Sequence, residues 1–119
     1  MRLKSSSYER GLGAEIYAAL YFFFKGYRIL AWRYKTPVGE VDLIVSRGDW
    51  IVFVEVKQRQ SLEEALFAVT PQMRRRIGAA ARHFLAGQRE KIPSSLRFDV
   101  IAVSGLRIRH LDNAWEAPT

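Results

Sequence analysis

Between Gly39 and Arg59 the chain reads GEVDLIVSRGDWIVFVEVKQR, with apolar side chains at nearly every second position. A period of two is the signature of strands that bury one face. Gly48-Asp49 interrupts the run at its middle, and glycine in the first central position suits a type II′ turn, so the two halves are predicted to form a hairpin. Upstream, residues 7–25 carry apolar side chains at steps of three and four, predicting a helix closed by Gly26. Its inward stripe is expected to run through Tyr8, Leu12, Glu15, Ala19, Phe22 and Phe23. YRILAWRY (27–34) then reads as a strand and KTPVG as a loop.

Downstream of the hairpin, Ser61 and Glu64 match a capping box before LEEALFAV, a short helix. Thr70-Pro71 places an N-cap before a first-turn proline. The helix that follows is expected to reach Ala86, to bury Met73, Ile77, Ala80, Ala81 and Phe84, and to end at Gly87. QREKIPSS is a loop. RFDVIAV (97–103) and LRIRHL (106–111) read as strands around Ser104-Gly105, and the remainder as a tail. The order α-β-β-β-α-β-β predicts an α/β fold, a mixed central sheet flanked by helices. Its helical connection implies parallel pairing between the third and fourth strands. The 119 residues suit a single domain, 1–119, with short flexible tails at both ends; no repeat or interdomain linker is present.

Charge narrows the choice of partner. Nineteen Lys and Arg against twelve Asp and Glu give a net charge of +7, a field that attracts polyanions, nucleic acid before anionic membrane. There is no cysteine, which excludes disulfides, a thiolate zinc site and a thiol nucleophile. The basic start and apolar run of the first helix are too short and too interrupted by Glu15 and Lys25 for a membrane span, and no small-residue cleavage site follows, so a cytoplasmic protein with no membrane association is expected.

With a two-residue loop at Gly48-Asp49, hairpin partners sum to 97. Asp42 then stands opposite Glu55, and Glu40 opposite Lys57. One face carries Glu40, Asp42, Ile44 and Ser46 with Phe53, Glu55 and Lys57; the other carries Val41, Leu43, Val45, Val52, Val54 and Val56. Like charges directly opposed on a ladder are destabilising, and a divalent cation is the economical way to hold them together. Mg²⁺ (or Mn²⁺) suits such a site, since it takes one or two protein carboxylates and leaves room for water and phosphate. Asp42 and Glu55 are therefore the expected metal ligands, with Glu15 a further one if its helix covers this face. Lys57 would hold the attacking water or offset charge on phosphorus, rather than act as a free base, because neighbouring carboxylates favour its ammonium form. Each charge also has an ordinary reading: Glu40–Lys57 as a cross-strand ion pair, Glu55 paired with an arginine.

An Asp followed by Glu-x-Lys across adjacent strands, preceded by a helical Glu, resembles the PD-(D/E)xK nuclease superfamily. G-L-G-A-E-I-Y-A (11–18), K-G-Y-R-I-L-A (25–31), G-E-V-D-L-I (39–44), V-F-V-E-V-K-Q-R (52–59) and R-F-D-V (97–100), in this order, resemble more closely the YraN-like family of small bacterial proteins, which are similar to Holliday-junction resolvases. The resemblance implies a restriction-endonuclease-like core with Glu15, Asp42, Glu55 and Lys57 at the catalytic positions and Glu40 as an accessory. It departs from the family at Ala14, where glycine is usual, and at Pro71-Gln72, where Lys-Gln is usual.

The expected activity is metal-dependent hydrolysis of phosphodiester bonds in DNA, branched or junction DNA in particular. Alternatives are an inactive nucleic-acid-binding module that keeps the fold, an RNA nuclease, and a partner-binding protein whose charged hairpin face is simply solvated. Arg59, Gln72, Arg74, Arg75 and Arg76 are candidate nucleic-acid contacts, joined by Arg2, Lys4, Arg10 and Arg82 in a basic rim; three successive helical arginines cannot all face one way. Junction resolution would call for two sites related by a two-fold axis, hence a homodimer. G-L-G-A-E follows no strand and is no dinucleotide loop, and R-G-D (47–49) is turn chemistry.

Overall fold

The computed structural model describes residues 7–88 and 95–116, with side chains from residue 12 onward. The expected tails at 1–6 and 117–119, Tyr8, the Arg2, Lys4 and Arg10 part of the basic rim, and most of the QREKIPSS loop lie outside the described residues. The elements are α1 (Ser7–Phe24), β1 (Arg28–Thr36), β2 (Gly39–Arg47), β3 (Trp50–Gln58), α2 (Leu62–Phe67), α3 (Pro71–Ala86), β4 (Ser95–Ser104) and β5 (Arg107–Trp115). This is the predicted α/β order.

The sheet runs β1-β2-β3-β4-β5. Only β3 and β4 pair in parallel, joined by the α2–α3 crossover; the other neighbours are antiparallel. Gly48 has φ +60° while Asp49 stays out of the left-handed region, the sign pattern of a type II′ turn. The hairpin partners sum to 97 from Arg47↔Trp50 to Leu43↔Val54. Both predicted caps form: Ser61 accepts from the Glu64 N–H and Thr70 from the Met73 N–H.

Helices cover both faces. Ala14, Ala18 and Phe22 of α1 pack on Leu43, Val45, Val52, Val54 and Val56. On the other face Ile77, Ala80 and Ala81 of α3 pack on Ile44, Phe53 and Phe98. Three expectations change. Phe23 is mostly exposed, because the buried stripe of α1 is built from small residues around Phe22, which let the helix lie close to the sheet. Met73 and Phe84 are only partly buried. The supposed tail after residue 111 continues as strand to Trp115, whose indole stacks on Phe98 at 5.2 Å.

Beside β5 the core holds one ionic cluster. Asp99, fully buried, accepts two hydrogen bonds from Arg97, at 2.8 Å each, and one from the Asn113 N–H at 2.9 Å, and lies 2.6 Å from His110 Nε2. Arg97 also donates to the Tyr27 hydroxyl, and His110 Nδ1 meets the Tyr21 hydroxyl of α1. Burial alone would lift the Asp99 carboxyl, yet the hydrogen bonds from His110, Arg97 and Asn113 hold it below its usual value. The cluster therefore ties α1, Tyr27 just before β1, β4 and β5 together by one saturated carboxylate.

A lowered carboxyl stabilises the fold above the unfolded value of about 3.8, and that stabilisation is lost as pH falls through the lower folded value. Asp99→Asn should cost about 3–5 kcal/mol at neutral pH, the usual result of stranding the partners of a buried pair. Urea unfolding checks it: the gap from wild type should close in strong acid, and a gap independent of pH would count against the carboxylate as its source.

Candidate active site

Regular strands keep residues two apart on one face. Here Leu43 packs with α1, whereas Val41 packs with α3. In β1, Trp32 lies beside α1 and Tyr34 beside the α3 cluster. Both strands thus change face at one rung, between the pairs Trp32↔Leu43 and Tyr34↔Val41. The residues on that rung are Arg33 and Asp42. Arg33 has φ +54°, a left-handed conformation that costs a non-glycine residue about 1–3 kcal/mol.

The β2–β3 ladder ends at the neighbouring rung. Beyond Leu43↔Val54, the N–H of Val56 donates to Asp42 Oδ2 at 2.8 Å. The expected cross-strand pairs Asp42–Glu55 and Glu40–Lys57 are therefore not rungs of the ladder. A side chain takes the backbone donor, the strands part, and Glu40 pairs through its backbone with Lys35 on β1 instead.

The parting opens a cleft of about 300 Å³ lined by Glu15, Glu40, Asp42, Glu55, Val56, Lys57, Met73, Arg76 and Ile77. Four predicted catalytic residues and accessory Glu40 thus meet in one place. Glu15 arrives by a different route from the one expected: α1 does not cover the face of Ile44 and Phe53, which belongs to α3, and reaches the cleft from the opposite face through the break in the sheet. Of the nucleic-acid candidates only Arg76 lines the cleft. Arg59, Gln72, Arg74 and Arg75 are exposed outside it, Arg74 lying over the Trp115 ring at 5.4 Å.

Sequence reasoning missed Arg33, whose Nε donates to Glu15 Oε1 at 2.6 Å. The signal was available: an arginine inside YRILAWRY, a strand otherwise expected to be apolar. It also missed Met73 and Ile77 as cleft wall, and Gly39 as the point where α3 approaches. A Cβ on Gly39 would stand 2.0 Å from the Arg76 carbonyl oxygen, so only glycine lets β2 begin against the backbone of α3.

The electrostatics concentrate on two carboxyls. Asp42 is pushed up to about 8, chiefly by burial and then by the adjacent Glu55 charge, against the opposing pull of the Val56 N–H. Burial raises Glu55 as well, with the Lys57 ammonium, 3.1 Å from Glu55 Oε2, pulling the other way. The Lys57 ammonium is paired with Glu55, and half-buried Asp42, beside the Glu55 charge, has the Val56 N–H to set against it, so Asp42 keeps its proton. That donor set fits a hard divalent cation in place of the proton. Among the described residues no three His, Cys, Asp or Glu side chains are grouped so as to hold a metal ion. Glu15 is engaged by Arg33, which leaves Asp42 and Glu55 as the two carboxyls that could hold such an ion, within the number Mg²⁺ ordinarily takes.

The sequence profile of the uncharacterised protein family UPF0102 matches residues 14–103, which include every residue of the cleft. The chain is 44% identical over 113 residues to a UPF0102 protein of Rhodopseudomonas palustris (strain HaA2), covering 94% of this chain and 88% of that one. It is 52% identical over 100 residues to one of Brucella canis (strain ATCC 23365 / NCTC 10854 / RM-666), covering 84% and 79%. With one of Sinorhizobium medicae (strain WSM419) the identity is 47% over 114 residues, covering 95% and 93%. Among the described residues no helix is long and apolar enough to cross a membrane.

Two outcomes are expected. The folded chain keeps a proton on Asp42 up to about pH 8 that the unfolded chain releases near 3.8, so raising the pH between those values costs stability. In EDTA, Asp42→Asn retains the acceptor for Val56 and should melt increasingly above wild type as pH rises from about 5 to about 8.5; Mg²⁺ at high pH should stabilise only wild type. Parallel melting curves for the two proteins would refute this. Gly39→Ala should cost about 1–3 kcal/mol in urea unfolding, as overpacking does, and an unchanged midpoint would show that α3 yields freely.

Proposed function

We propose, for a chain that belongs to the uncharacterised protein family UPF0102, the YraN-like family its sequence resembles, that the cleft is the active site of a metal-dependent nuclease. The reaction is hydrolysis of a phosphodiester bond in DNA, with branched DNA the favoured substrate, in the cytoplasm. The observation that carries this reading is the pair Asp42 and Glu55: one half-buried and one buried carboxyl, together short of positive charge, in a cleft open to solvent on a chain of net charge +7. A surface built only to bind phosphate has no use for them, since carboxylates repel it.

Asp42 and Glu55 would hold Mg²⁺ or Mn²⁺, and such an ion supplies Lewis-acid chemistry, polarising the phosphodiester and making water a stronger nucleophile. The chain's own groups do the rest. Glu55 holds the Lys57 ammonium at 3.1 Å, aimed where it can orient the attacking water and offset charge growing on the phosphate oxygens. Arg76, on the α3 side of the cleft, can take a flanking phosphate without reading sequence. The Glu15–Arg33 pair closes the opposite wall and fixes α1 against β1. As the water oxygen bonds to phosphorus, the bond from phosphorus to the leaving sugar oxygen breaks, and the exposed mouth releases the product strand.

Purified protein should cut labelled four-way, flap, linear duplex or single-stranded DNA in Mg²⁺ or Mn²⁺ and not in EDTA. Glu55→Ala should lower the rate by at least about 100-fold, the loss seen when even an outer partner of a metal ligand is removed. Binding of DNA without cutting, unaffected by metal or by Glu55→Ala, would replace this reading by that of an inactive binding module. Cutting of RNA alone would keep the chemistry and change the substrate.

A further inference from the structure

α1 has a second apolar face that nothing among the described residues covers. Ile16, Leu20 and Phe23, at steps of four and three, are 48%, 49% and 60% exposed, and beside them on β1 Ile29 and Trp32 are 39% and 47% exposed. They line a groove of about 500 Å³ whose walls include no charged residue. Phe24, 80% exposed, extends the patch, its ring 5.6 Å from that of Phe23. With about 200 Å² for a large side chain, these six residues leave roughly 650 Å² of apolar surface in water. That exceeds the largest patch on a typical monomer, about 300–600 Å².

We propose that this groove is the interface of a two-fold dimer of this chain. Two such patches face to face would bury roughly 1,300 Å² in total, within the range of stable interfaces. Shape agrees, because the ridge Ile16-Leu20-Phe23 lies beside the strip Ile29-Trp32, and a two-fold rotation seats each ridge on the other copy's strip. Charge agrees as well. Copies of net charge +7 repel each other, least at a groove whose described lining holds no Lys or Arg, with the Arg33 guanidinium, paired with Glu15, at its rim over the Trp32 ring at 5.3 Å, whereas an acidic partner would be met by a basic lining. Contact is by side-chain packing and not by sheet extension, since β1, an outer strand, is blunted by a register shift between Ile29 and Ala31 and by the left-handed Arg33. The groove ends one residue from Glu15 and one residue from Arg33, so dimerisation sets the two clefts beside a common boundary. The association rests on burial alone and stands whether or not the cleft cuts DNA.

Sedimentation velocity of the full chain at about 1–100 μM should give twice the 13.7 kDa chain mass. Phe23→Glu should raise the dissociation constant by at least about 30-fold, a hot-spot loss. Phe67→Glu, at a still more exposed position on α2, should leave it unchanged. A wild-type chain that stays monomeric throughout, including one that associates only with a different protein, would overturn the proposal, as would a dimer indifferent to Phe23→Glu. Should Phe23→Glu fail to fold by circular dichroism, Leu20→Cys in this cysteine-free chain takes its place. Mild oxidation should link it as a disulfide dimer, and linkage no better than that of Phe67→Cys would equally overturn the assignment.

Discussion

Everything distinctive about this domain depends on a single substitution of partners in its central hairpin, where the N–H of Val56 turns from the β2 ladder to the carboxylate of Asp42. A backbone donor buried without a partner would cost a few kcal/mol. The side chain meets that need and so makes it affordable for β2 and β3 to separate one rung beyond Leu43↔Val54. Once they separate, the sheet no longer divides the two helical layers. Glu15 from α1 and Met73, Arg76 and Ile77 from α3 can then line one cavity, which an unbroken ladder would forbid. The matching left-handed turn at Arg33 lets β1 follow β2 through the change of face without losing register.

Two aspartates, half-buried Asp42 on β2 and fully buried Asp99 on β4, show how compensation decides between structure and chemistry. Asp99 has an arginine held in two places, an imidazole and a backbone N–H, and is driven below its usual value. It has nothing left to offer a ligand. Asp42 has one N–H and a carboxylate for a neighbour, and is driven upward. Burial acts on both in the same direction, so the difference lies in the donors around them. A fold selected only for stability would finish Asp42 as it finished Asp99, with an arginine. Arg33, which shares the rung of Asp42 in the β1–β2 ladder, is spent on Glu15 instead.

Much of this was legible in residue order. The hairpin register followed from Gly48-Asp49 alone, the helix starts from Ser61 and Thr70, and the parallel β3–β4 pairing from the helical connection. Strict alternation in the hairpin points to Asp42, Glu55 and Lys57, and helical spacing to Glu15, although alternation fails at Asp42 itself. They meet because the failure is local: it moves Asp42 off the ladder while leaving it beside Glu55. What alternation could not show was the layer each helix would cover, since the hairpin is apolar on one face and half apolar on the other. The packing of α1 turned on Ala14 and Ala18, small residues that permit close approach, while bulkier Phe23 was left outside. The strand pattern in the sequence ends at Leu111, whereas β5 runs on to Trp115, and Asn113 takes a left-handed turn at φ +51° with its N–H donating to Asp99.

The distribution of surface chemistry follows from the same geometry. α1 buries a narrow stripe of small side chains, so a helix this rich in Ile, Leu and Phe must present the remainder outward, and it does so next to an outer strand whose kink discourages pairing. Among the described arginines, Arg76 lines the cleft, Arg59, Arg74 and Arg75 are exposed outside it, and Arg33 lies over the Trp32 ring. One side of the molecule therefore offers burial and the cleft side offers charge, with Glu15 and Arg33 at the seam between them. A polyanion and an apolar partner would approach from different directions and compete for no residue, which makes the seam the place where either one could be felt by the other.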